Sequence, residues 1–535
     1  MTELLTAAQM RAIEQAAIES GEVTDLELME RAGKGVVEAI LEEWPEMAKR
    51  PHKAVVLCGP GNNGGDGFVV ARLLKQSGWE VEVFLYGEVE KLPPDAKVNA
   101  ERWLEMGEVE DIAGAHISSS EVCNIIVDAV FGTGLNKCLP KVVADFFNTH
   151  LQHKIVAVDI LSGRDADSGK TIVGDGISIA SPELTVTFHL RKNGHYLGVS
   201  EQLGRLKVSS IGLENSDKTR NLKHLDEYVR TTNSPYHLQI DKSFSDHKYT
   251  HGHALILSGP AGRTGAARLA ARGALRIGAG LVSLACPQEA MAENAAQLTA
   301  IMLSSVEDAE ALHAVLQDER INALCVGPSL GLDARAVGLI AAALTVEEHK
   351  VAPEQSGGEK RPLPDGAGRK LVLDADALTI LSKEPELFNA LHKNCVLTPH
   401  AGEFKRLFPD IMAKLEAPST TGPAYSKIDA TREAAARAGC TVLFKGADTV
   451  IADQTGRAAI NSAHYERSAP WLATAGSGDV LAGFITGLLA RGFAPMQAAE
   501  SAAWLHVECA LKFGPGLIAE DLPEQLPAVF RDLKL

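Results

Sequence analysis

Short apolar runs alternate with helical patterns along most of this chain, and this alternation constrains the fold more than any other feature. In the first part of the chain the predicted strands are Ala54–Cys58, Val81–Tyr86, Asn124–Ala129 and Ile155–Val158. Such alternation predicts a parallel β-sheet with helices on both of its faces. Ligands bind in the loops at the carboxyl ends of the strands of such sheets. We therefore expect an α/β fold and look for functional residues in those loops.

The alternation fails around residues 213–247, where the sequence is polar, and it then resumes until a last helix at Ala498–Phe513. A chain of 535 residues is too long for a single hydrophobic core. We therefore predict two α/β domains, residues 1–220 and residues 235–535, joined by a linker. Residues 353–369 are rich in Pro, Gly and charge, and they predict a surface excursion within the second domain.

Composition excludes several classes of function. The net charge of −17 argues against binding to nucleic acid or to an anionic membrane, because both require a basic face. The chain has no run of about 18 apolar residues and no basic, apolar leader at its N-terminus. The eight cysteines lack C-x-x-C spacing, and most lie in apolar runs. We expect buried free thiols in a reducing compartment, and hence a cytoplasmic protein.

A glycine-rich turn, Ala473–Asp479, opens the apolar helix Val480–Ala490. The first N–H groups of a helix have no intrahelical partner, and the helix dipole adds positive potential at that end. Such an end suits the transferring phosphate of a nucleotide. Asp479 is then placed to act as a base toward a hydroxyl that attacks this phosphate. The alternative is an ordinary helix cap, since Gly, Ser and Asp are common capping residues.

The loop Gly59–Gly67 follows the first predicted strand and contains a G-x-G-x-x-G pattern, which alone is a weak indication of nucleotide binding. The next strand does not end in the acid that a dinucleotide site uses for its ribose. Amide and carboxylate oxygens in this loop could instead hold a hard cation or the hydroxyls of a ligand. The loops Asp128–Gly134 and Asp159–Gly169 follow two further strands. Each loop could be a simple turn, but three together favour a site.

Six segments of the first half together resemble the NAD(P)H-hydrate epimerase domain: LTAAQMRAIE, LMERAG, GPGNNGGDG, DAVFGTGL, VDILSGRDADSG and LTVTFHLRKNGH. This resemblance implies a Rossmann-like three-layer domain that binds K⁺ through Asn63, Asp128 and Ser162. It also implies contacts with the hydrated nicotinamide nucleotide from thirteen residues: Asn62, Asn63, Gly64, Gly65, Asp66, Gly132, Thr133, Gly134, Leu135, Asn136, Lys137, Cys138 and Asp159. Among these, Asp159 is the best candidate for acid–base catalysis.

Five segments of the second half end predicted strands or open helices: Gly259–Ala266, Gly327–Gly331, Asp374–Asp376, Thr398–Glu403 and Lys445–Thr449. Paired carboxylates such as those of the third segment can organise Mg²⁺ beside phosphates. A lysine with neighbouring backbone amides could contact a nucleotide. Each segment also has a plain interpretation as a turn, a capped helix or a solvated lysine. His506 lies inside an apolar helix, and we predict a structural role for it.

These segments, above all LTPHAGE, LFKGADT and GSGD, resemble the ADP-dependent NAD(P)H-hydrate dehydratase, a ribokinase-like fold. By this resemblance Asp479 is the catalytic base, and ADP supplies the phosphate that leaves with the ring hydroxyl. The residues that would face the hydrate are Ala266, Gly331, His400 and Asp479. The residues that would face the adenine nucleotide are Lys445, Gly446, Ala447, Asp448, Thr449 and Gly478. Ser477 replaces the family's usual threonine and keeps a hydroxyl, so we expect activity to be retained.

The sequence thus predicts a bifunctional repair enzyme, an isomerase fused to a lyase, for hydrated NADH and NADPH. Its expected cofactors are K⁺ in the first half and Mg²⁺ in the second, with ADP as co-substrate. We expect small nucleotides as its ligands, no nucleic acid or membrane partner, and a homo-oligomer. Two alternatives stay open from the residues alone: a ribokinase-like small-molecule kinase fused to a nucleotide-sensing domain, and a non-catalytic binding module in the first half.

Overall fold

The computed structural model describes residues 2–115, 123–150, 152–174, 179, 181–198, 204–213, 228–232, 234–236, 240–243, 246–345 and 369–535. The chain forms two compact units. The N-terminal unit comprises Glu3–Val229 and Ala417–Lys427, and the C-terminal unit comprises Met1–Thr2, Arg230–Glu416 and Ile428–Leu535. Most of the predicted linker and nearly all of the predicted excursion at 353–369 lie outside the described residues. In the described part of the chain, no helix has the length and apolar character needed to cross a membrane.

The N-terminal unit is built on a seven-stranded parallel sheet, as the alternation predicts. A short strand β1 (Thr2–Leu4) precedes this sheet in the chain and is not one of its seven strands. The seven strands are β2 (Lys53–Cys58), β3 (Glu80–Leu85), β4 (Val109–Asp111), β5 (Ile125–Ala129), β6 (Lys154–Val158), β7 (Leu184–Phe188) and β8 (Arg205–Ser209). The helices are α1 (Ala7–Glu19), α2 (Asp25–Glu43), α3 (Asn62–Gln76), α4 (Pro94–Leu104) and α5 (Lys141–Thr149). The strand order is β4-β3-β2-β5-β6-β7-β8, so the chain reverses direction across the sheet between β2 and β5. Such a switch point leaves a crevice beyond the strand ends.

The predicted loop Gly59–Gly67 is wrong in its second half, because helix α3 already begins at Asn62. Three glycines in this stretch are poor helix formers, which is why the sequence indicates a loop. Tertiary packing overrides that preference. A Cβ atom on Gly64 would overlap the carbonyl oxygen of Gly59, and one on Gly65 would overlap the side chain of Met29. The glycines therefore serve close packing inside a helix rather than a flexible loop.

The C-terminal unit is built on a mixed sheet in the order β12-β11-β10-β13-β14-β15-β16-β17-β18-β9. Its strands are β9 (Val229–Thr231), β10 (His253–Leu257), β11 (Leu281–Cys286), β12 (Met302–Ser305), β13 (Ile321–Val326), β14 (Lys370–Leu373), β15 (Cys395–Leu397), β16 (Thr441–Phe444), β17 (Asp448–Ala452) and β18 (Ala458–Ser462). Strands β10 to β16 pair in parallel, whereas β17 is antiparallel to both of its neighbours. The loops that follow β10, β13, β14, β15 and β16 therefore meet at one edge of the sheet.

Twelve helices of the C-terminal unit are described. They are α6 (Gly265–Arg276), α7 (Gln288–Ala295), α8 (Ala309–Val315), α9 (Ala334–Leu344), α10 (Asp376–Leu381), α11 (Pro385–Asn389), α12 (Ala401–Leu407), α13 (Pro409–Glu416), α14 (Lys427–Ala438), α15 (Ser477–Ala490), α16 (Pro495–Phe513) and α17 (Asp521–Asp532). Helix α15 is buried from Val480 to its end. It packs so closely on α6 that a Cβ atom on Gly483 would overlap the carbonyl oxygen of Ala270. This packing fixes the position of the glycine-rich turn that begins α15.

Candidate active sites

A cavity of about 450 Å³ lies in the N-terminal unit, where the loops after β2, β5 and β6 meet helices α1 and α2. Seven of the residues predicted to bind the substrate line it: Asn62, Asn63, Asp66, Gly132, Thr133, Gly134 and Asp159. Gly64 and Gly65 are buried behind it in α3. The crevice at the β2/β5 switch point is thus the cavity that the three predicted loops form.

Asp159 is held in place by five hydrogen-bonding groups, one of which is the Val186 carbonyl oxygen that accepts from its backbone N–H at 2.7 Å. Its backbone has a left-handed conformation, with φ of 65°. One carboxylate oxygen accepts hydrogen bonds from Thr187 Oγ1 and Lys192 Nζ, both at 3.0 Å. The other accepts from the backbone N–H of Thr133 at 3.2 Å, and the backbone oxygen of Asp159 contacts His195 Nε2 at 2.9 Å. Asp159 is therefore a rigidly oriented carboxylate at the edge of the cavity.

Lys192 supplies the positive charge beside Asp159, and His195 contacts it as a neutral imidazole. Burial raises the pKa of Asp159, but the charge and hydrogen bond of Lys192 outweigh it, and the net pKa is lowered. Burial, with the positive charge of Lys192, lowers the pKa of His195 to about 4. His195 is therefore neutral, and its Nδ1 accepts a hydrogen bond from the Lys192 backbone N–H. Sequence reasoning missed both residues as site residues, although they lie in the motif LTVTFHLRKNGH.

Asp128 and Ser162, two of the three predicted K⁺ ligands, contact each other directly. Ser162 donates from Oγ to one Asp128 oxygen at 2.6 Å and from its backbone N–H to the other at 2.8 Å. Asp128 is fully buried, and burial raises its pKa to about 6, although these hydrogen bonds lower it. Only neutral groups donate to this buried carboxylate in the described structure, which leaves its negative charge without a nearby counterion.

Asn63, the third predicted K⁺ ligand, lies on α3 beside Gly132. A Cβ atom on Gly132 would lie 2.7 Å from Asn63 Oδ1 and 3.2 Å from Asp159 Oδ2, so glycine is needed here for space. The buried Asn63 Nδ2 has no hydrogen-bond partner among the described residues. An unpaired buried donor costs stability unless a ligand satisfies it.

The predicted substrate-binding stretch continues from Leu135 to Cys138, but these four residues do not line the cavity. Leu135 and Cys138 lie against the segment Ala417–Lys427, and Asn136 and Lys137 are exposed. Cys138 Sγ lies 3.6 Å from the Thr420 carbonyl oxygen, and a Cβ atom on Gly422 would lie 2.9 Å from the Leu135 carbonyl oxygen. Of the predicted stretch, Gly132–Gly134 line the cavity. The remaining residues, including Asn136 and Lys137, lie outside it.

The C-terminal site centres on Lys445, which follows β16. Lys445 Nζ contacts Asp374 Oδ1 at 2.8 Å and Glu403 Oε2 at 3.8 Å. Burial lowers the pKa of Lys445, but the charges of Asp374 and Glu403 outweigh it and the net pKa is raised. A Cβ atom on Gly478 would lie 3.5 Å from Lys445 Nζ. A charged ammonium group therefore lies beside the first turn of helix α15.

Asp479 lies in that first turn, as predicted. Burial and the negative charge of Asp374 together raise its pKa to about 7, against the opposing effect of Lys445. A carboxylate with a pKa near the working pH is suited to proton transfer. The N–H of Ser477 donates to the Thr474 carbonyl oxygen at 3.4 Å, and the first N–H groups of a helix generally lack partners within the helix.

Three other predicted residues follow strands at the same edge of the sheet, Gly331 and His400 on loops and Ala266 in a helix. Gly331, with φ of 99°, donates its backbone N–H to Asp376 Oδ2 at 2.9 Å. His400 caps α12, and its Nδ1 accepts from the backbone N–H of Gly402 at 2.9 Å. Its Nε2 lies 3.4 Å from Glu403 Oε1, and more than half of the side chain is exposed. Ala266 lies in the first turn of α6, after β10.

The predicted nucleotide-binding stretch from Lys445 to Thr449 forms the tight connection between β16 and β17. Thr449 Oγ1 donates to the Gly446 carbonyl oxygen at 2.6 Å and accepts from the Gly446 N–H at 3.2 Å. Asp448 and Thr449 already belong to β17, and Ala447 lies in the turn itself. Throughout the described ranges, no group of three or more His, Cys, Asp or Glu side chains is placed to hold a metal ion by itself.

Known proteins resemble each half of the chain. A family model described as NAD(P)H-hydrate dehydratase matches residues 254–526, and one described as YjeF-related protein N-terminus matches residues 25–194. The NAD(P)H-hydrate epimerase of Rhodobacter capsulatus is 46% identical and aligns with 40% of this chain and 100% of its own. A solved ADP/ATP-dependent NAD(P)H-hydrate dehydratase from Bacillus subtilis, co-crystallised with ATP and Mg²⁺, is 24% identical with a TM-score of 0.43, covering 56% of this chain and 99% of that one.

One relative matches both halves together. The bifunctional NAD(P)H-hydrate repair enzyme Nnr of Moorella thermoacetica is 34% identical, over 99% of this chain and 97% of the relative. A relative from Thermofilum pendens with the same name is 30% identical over 98% of this chain and 96% of its own. Both alignments run over nearly the whole of this chain and of the relative, and the chain therefore belongs to the family of bifunctional NAD(P)H-hydrate repair enzymes.

Proposed function

We propose that this chain repairs hydrated NADH and NADPH in two steps. The N-terminal unit, from residues 1–220 for the most part, interconverts the R and S epimers of the hydrate. The C-terminal unit, from residues 235–535 for the most part, dehydrates the S epimer with ADP and releases AMP and phosphate. The observation that carries the proposal is the presence of two separate acid-containing sites, one around Asp159 and one around Asp479, in a chain matched end to end by bifunctional relatives.

In the N-terminal site we assign the substrate to the cavity beside Asp159. The residues that line it supply amide groups, backbone N–H groups and carboxylates, which suit a polar nucleotide. Asp159 acts as an acid–base group toward the hydroxylated ring. Lys192 keeps it ionised and oriented, because the ammonium group lies 3.0 Å from its carboxylate.

K⁺ fits the site formed by Asn63, Asp128 and Ser162. The buried Asp128 carboxylate receives hydrogen bonds from neutral groups alone in the described structure, and a cation would balance its charge. Hydroxyl, carboxylate and amide oxygens are suitable ligands for a hard cation. When bound, K⁺ would add positive charge beside the loop that carries Gly132.

In the C-terminal site we assign the terminal phosphates of ADP to the first turn of α15, next to Lys445 and Gly478. Unpaired N–H groups and the helix dipole stabilise negative charge there. Mg²⁺ fits the carboxylates of Asp374 and Asp376, because this ion is usually held by one or two carboxylates together with phosphate oxygens. When bound, it would neutralise phosphate charge. Gly446–Thr449 complete the nucleotide contacts.

Asp479 has the central catalytic role in this half. It removes the proton from the hydroxyl of the hydrated ring as that oxygen attacks the terminal phosphorus of ADP. Lys445 and the N–H groups of the turn stabilise the charge that develops on the phosphoryl oxygens. The phosphate then leaves with the ring oxygen, the lone pair of the ring nitrogen forms a C=N bond, and the neighbouring ring carbon loses a proton to the departing phosphate or to solvent, which restores the double bond of NAD(P)H. Ala266, Gly331 and His400 lie on the loops that would face the hydrate.

We also propose a cytoplasmic homo-oligomer that acts on small nucleotides alone. All eight cysteines are free, and seven of them are buried, which fits a reducing compartment. Size-exclusion chromatography with light scattering tests the oligomeric state.

The decisive experiment incubates the purified chain with a mixture of both NADHX epimers and Mg²⁺, with and without ADP, and follows the recovery of NADH absorbance. Full conversion with ADP is expected. An Asp159→Ala variant should convert the S epimer and leave the R epimer. That result would establish that the R epimer is converted only through the N-terminal site. No recovery with either ADP or ATP would contradict the dehydratase function, and a stable phosphorylated product would favour a small-molecule kinase.

A further inference from the structure

A carboxyl group without a structural role faces the cavity of the N-terminal unit. Glu14 lies on helix α1, four residues after Met10 and three before Ala17, both of which are buried. Residues at this spacing share one face of a helix, so Glu14 lies on the buried face of α1. It lines the cavity together with Asp159 and Asn63. Its carboxyl group makes no hydrogen bond or salt bridge with any other residue of the described chain.

A half-buried carboxyl group with no partner is costly, and proteins usually replace it by an apolar residue unless it has a function. The helix that carries Glu14 is firmly positioned. The N–H of Ala7 donates to Asp167 Oδ1 at 2.6 Å, and Leu5 exchanges backbone hydrogen bonds with Arg191 and Asn193, at 3.0 and 3.2 Å. These contacts fix the start of α1 to the segment that contains Lys192. Glu14 is thereby held in a constant position relative to the Lys192–Asp159 pair.

We propose that Glu14 is a second catalytic acid–base residue of the epimerisation and works in alternation with Asp159. This inference rests on the proposed function of the N-terminal unit. Addition of water to the reduced nicotinamide ring places the hydroxyl on the carbon next to the ring nitrogen, because the double bond there is an enamine. The two epimers differ at this carbon, so their exchange must remove the hydroxyl from one face and return it to the other.

The reaction balances with two carboxyl groups. Glu14 gives its proton to the departing hydroxyl, the C–O bond breaks, and the lone pair of the ring nitrogen forms a C=N bond, so that water leaves. A water molecule then adds to the other face of the planar carbon, the C=N electrons return to nitrogen, and Asp159 accepts the proton. In the opposite direction Asp159 donates and Glu14 accepts, and solvent restores the starting protonation.

The electrostatics of the cavity suit this division of roles. Burial raises the pKa of Glu14 to about 7, Lys192 lowers it, and Asp159 and Asp25 raise it; Arg11 also faces it. Asp66 is a further carboxyl in the cavity wall, and burial raises its pKa as well. The pKa of Asp159, in contrast, is lowered by Lys192 against the effect of burial. Two carboxyl groups whose surroundings separate their pKa values are typical of an acid and a base in one active site.

The test compares the Glu14→Gln variant of the full chain with wild type in the absence of ADP, with R–S exchange followed by chromatography from a single purified epimer. Glutamine keeps the shape of the side chain but cannot donate an acidic proton. We expect kcat for exchange to fall by about 100-fold or more, in the range usual for a lost acid–base group, with KM nearly unchanged. Glu14→Asp should restore part of the rate. ADP-dependent dehydration of the S epimer should be unchanged, which shows that the C-terminal unit is folded, and the activity of Glu14→Asp shows that the N-terminal unit accepts a change at this position.

Glu19→Gln is the matched control, because Glu19 lies on the same helix, is exposed and contacts Gln15 alone among the hydrogen bonds of its side chain. It should exchange the epimers at the wild-type rate. The wild-type rate should also fall as the pH rises above about 7, where Glu14 loses its proton, and Glu14→Gln should lack this dependence. A Glu14→Gln variant with wild-type kcat and pH profile would overturn the inference. Absence of exchange in the wild type would instead overturn the proposed function of the unit.

Discussion

His506 donates a hydrogen bond from Nε2 to the backbone carbonyl oxygen of Ser477, at 2.9 Å. Burial lowers the pKa of His506 to about 4, so the imidazole is neutral. Ser477 is the first residue of α15, and its hydroxyl donates to the Leu472 carbonyl oxygen at 2.9 Å. Helix α16 thus anchors, through one histidine, the turn that carries Gly478 and Asp479. The structural role predicted for His506 is confirmed, and the contact also holds the turn that carries Gly478 and Asp479.

Replacing His506 by Leu should destabilise the C-terminal unit and slow dehydration. The Ser477 carbonyl oxygen would lose its buried donor, which costs about 1–3 kcal/mol of unfolding free energy. A small displacement of the turn should lower kcat for dehydration by roughly 10- to 100-fold, while epimerisation stays at the wild-type rate. Urea unfolding and NADH recovery measure the two effects. The control is His313→Leu on α8, which should change neither, and equal effects of the two substitutions would contradict the anchoring role.

Asp479→Asn should abolish dehydration, because asparagine cannot accept the proton. We expect a loss of about 10²- to 10⁴-fold in kcat, with epimerisation unchanged. In the wild type the base must be ionised, and its pKa is raised to about 7, so kcat/KM for dehydration should decrease as the pH falls below about 7. Asp532→Asn on α17 is the matched control. ADP-dependent turnover by Asp479→Asn at the wild-type rate would refute the catalytic role.

Asn63→Ala should weaken the dependence of epimerisation on K⁺. The substitution removes an amide oxygen from the proposed cation site but leaves Asp128 and Ser162 in contact. Titration of the exchange rate with KCl, at constant ionic strength, should show half-saturation at a higher K⁺ concentration in the variant. Dehydration in the same samples serves as the control and should not change. Superimposable titrations of variant and wild type would show that Asn63 is not a ligand.

Lys192→Met should destabilise the N-terminal unit at neutral pH. Breaking a buried ion pair leaves the Asp159 charge uncompensated, and such changes cost about 3–5 kcal/mol. Asp159 has a lower pKa in the folded chain than its ordinary value of 3.8, so its stabilisation is fully present above pH 3.8 and is lost as the pH falls through the folded value. The difference between variant and wild type, measured by urea unfolding, should therefore shrink below about pH 4.

The matched control for this prediction is Lys141→Met on α5. Lys141 forms an exposed pair with Asp145, at 2.6 Å. Exposed pairs of this kind contribute about 0.3–0.5 kcal/mol, so the control should lose little stability at any pH. A Lys192→Met variant as stable as the control would contradict the importance of the buried pair.

Gly483→Ala should destabilise the C-terminal unit, because the new Cβ atom would overlap the carbonyl oxygen of Ala270 on the neighbouring helix. Forcing apart two packed helices costs about 1–3 kcal/mol. Gly338→Ala on α9 is the opposite control, because the nearest atom to its new Cβ would lie 3.8 Å away. That variant should gain roughly 0.5–1 kcal/mol from helix propensity. Opposite shifts in the urea midpoint would support the packing argument, and a stabilising Gly483→Ala would contradict it.

Much of the fold could be predicted from local sequence signals. The four strands predicted in the first part of the chain differ from β2, β3, β5 and β6 by no more than one residue at either end. The position of Asp479 in the first turn of a buried helix is also confirmed. Hydrophobic periodicity and turn residues carry this information because strands and helix ends are determined mainly by neighbours in sequence.

Tertiary structure decided how the N-terminal site is assembled. The carboxylate of Asp159 contacts Lys192, and it lines the same cavity as Glu14, which lies 145 positions earlier in the chain. Nothing in the local pattern distinguishes these two charged residues from those on a solvated face. Likewise, no local signal indicated that residues 417–427 belong with the N-terminal unit.

The sequence by itself therefore determined the alternation of elements, the positions of the strand-end loops and the residue types available in each loop. The tertiary structure decided that α3 begins at Asn62 and that the charge of Lys192 lowers the pKa of Asp159. The reason is physical. Propensity and periodicity act between residues a few positions apart, whereas burial, close packing and electrostatic coupling depend on which distant segments the fold brings together.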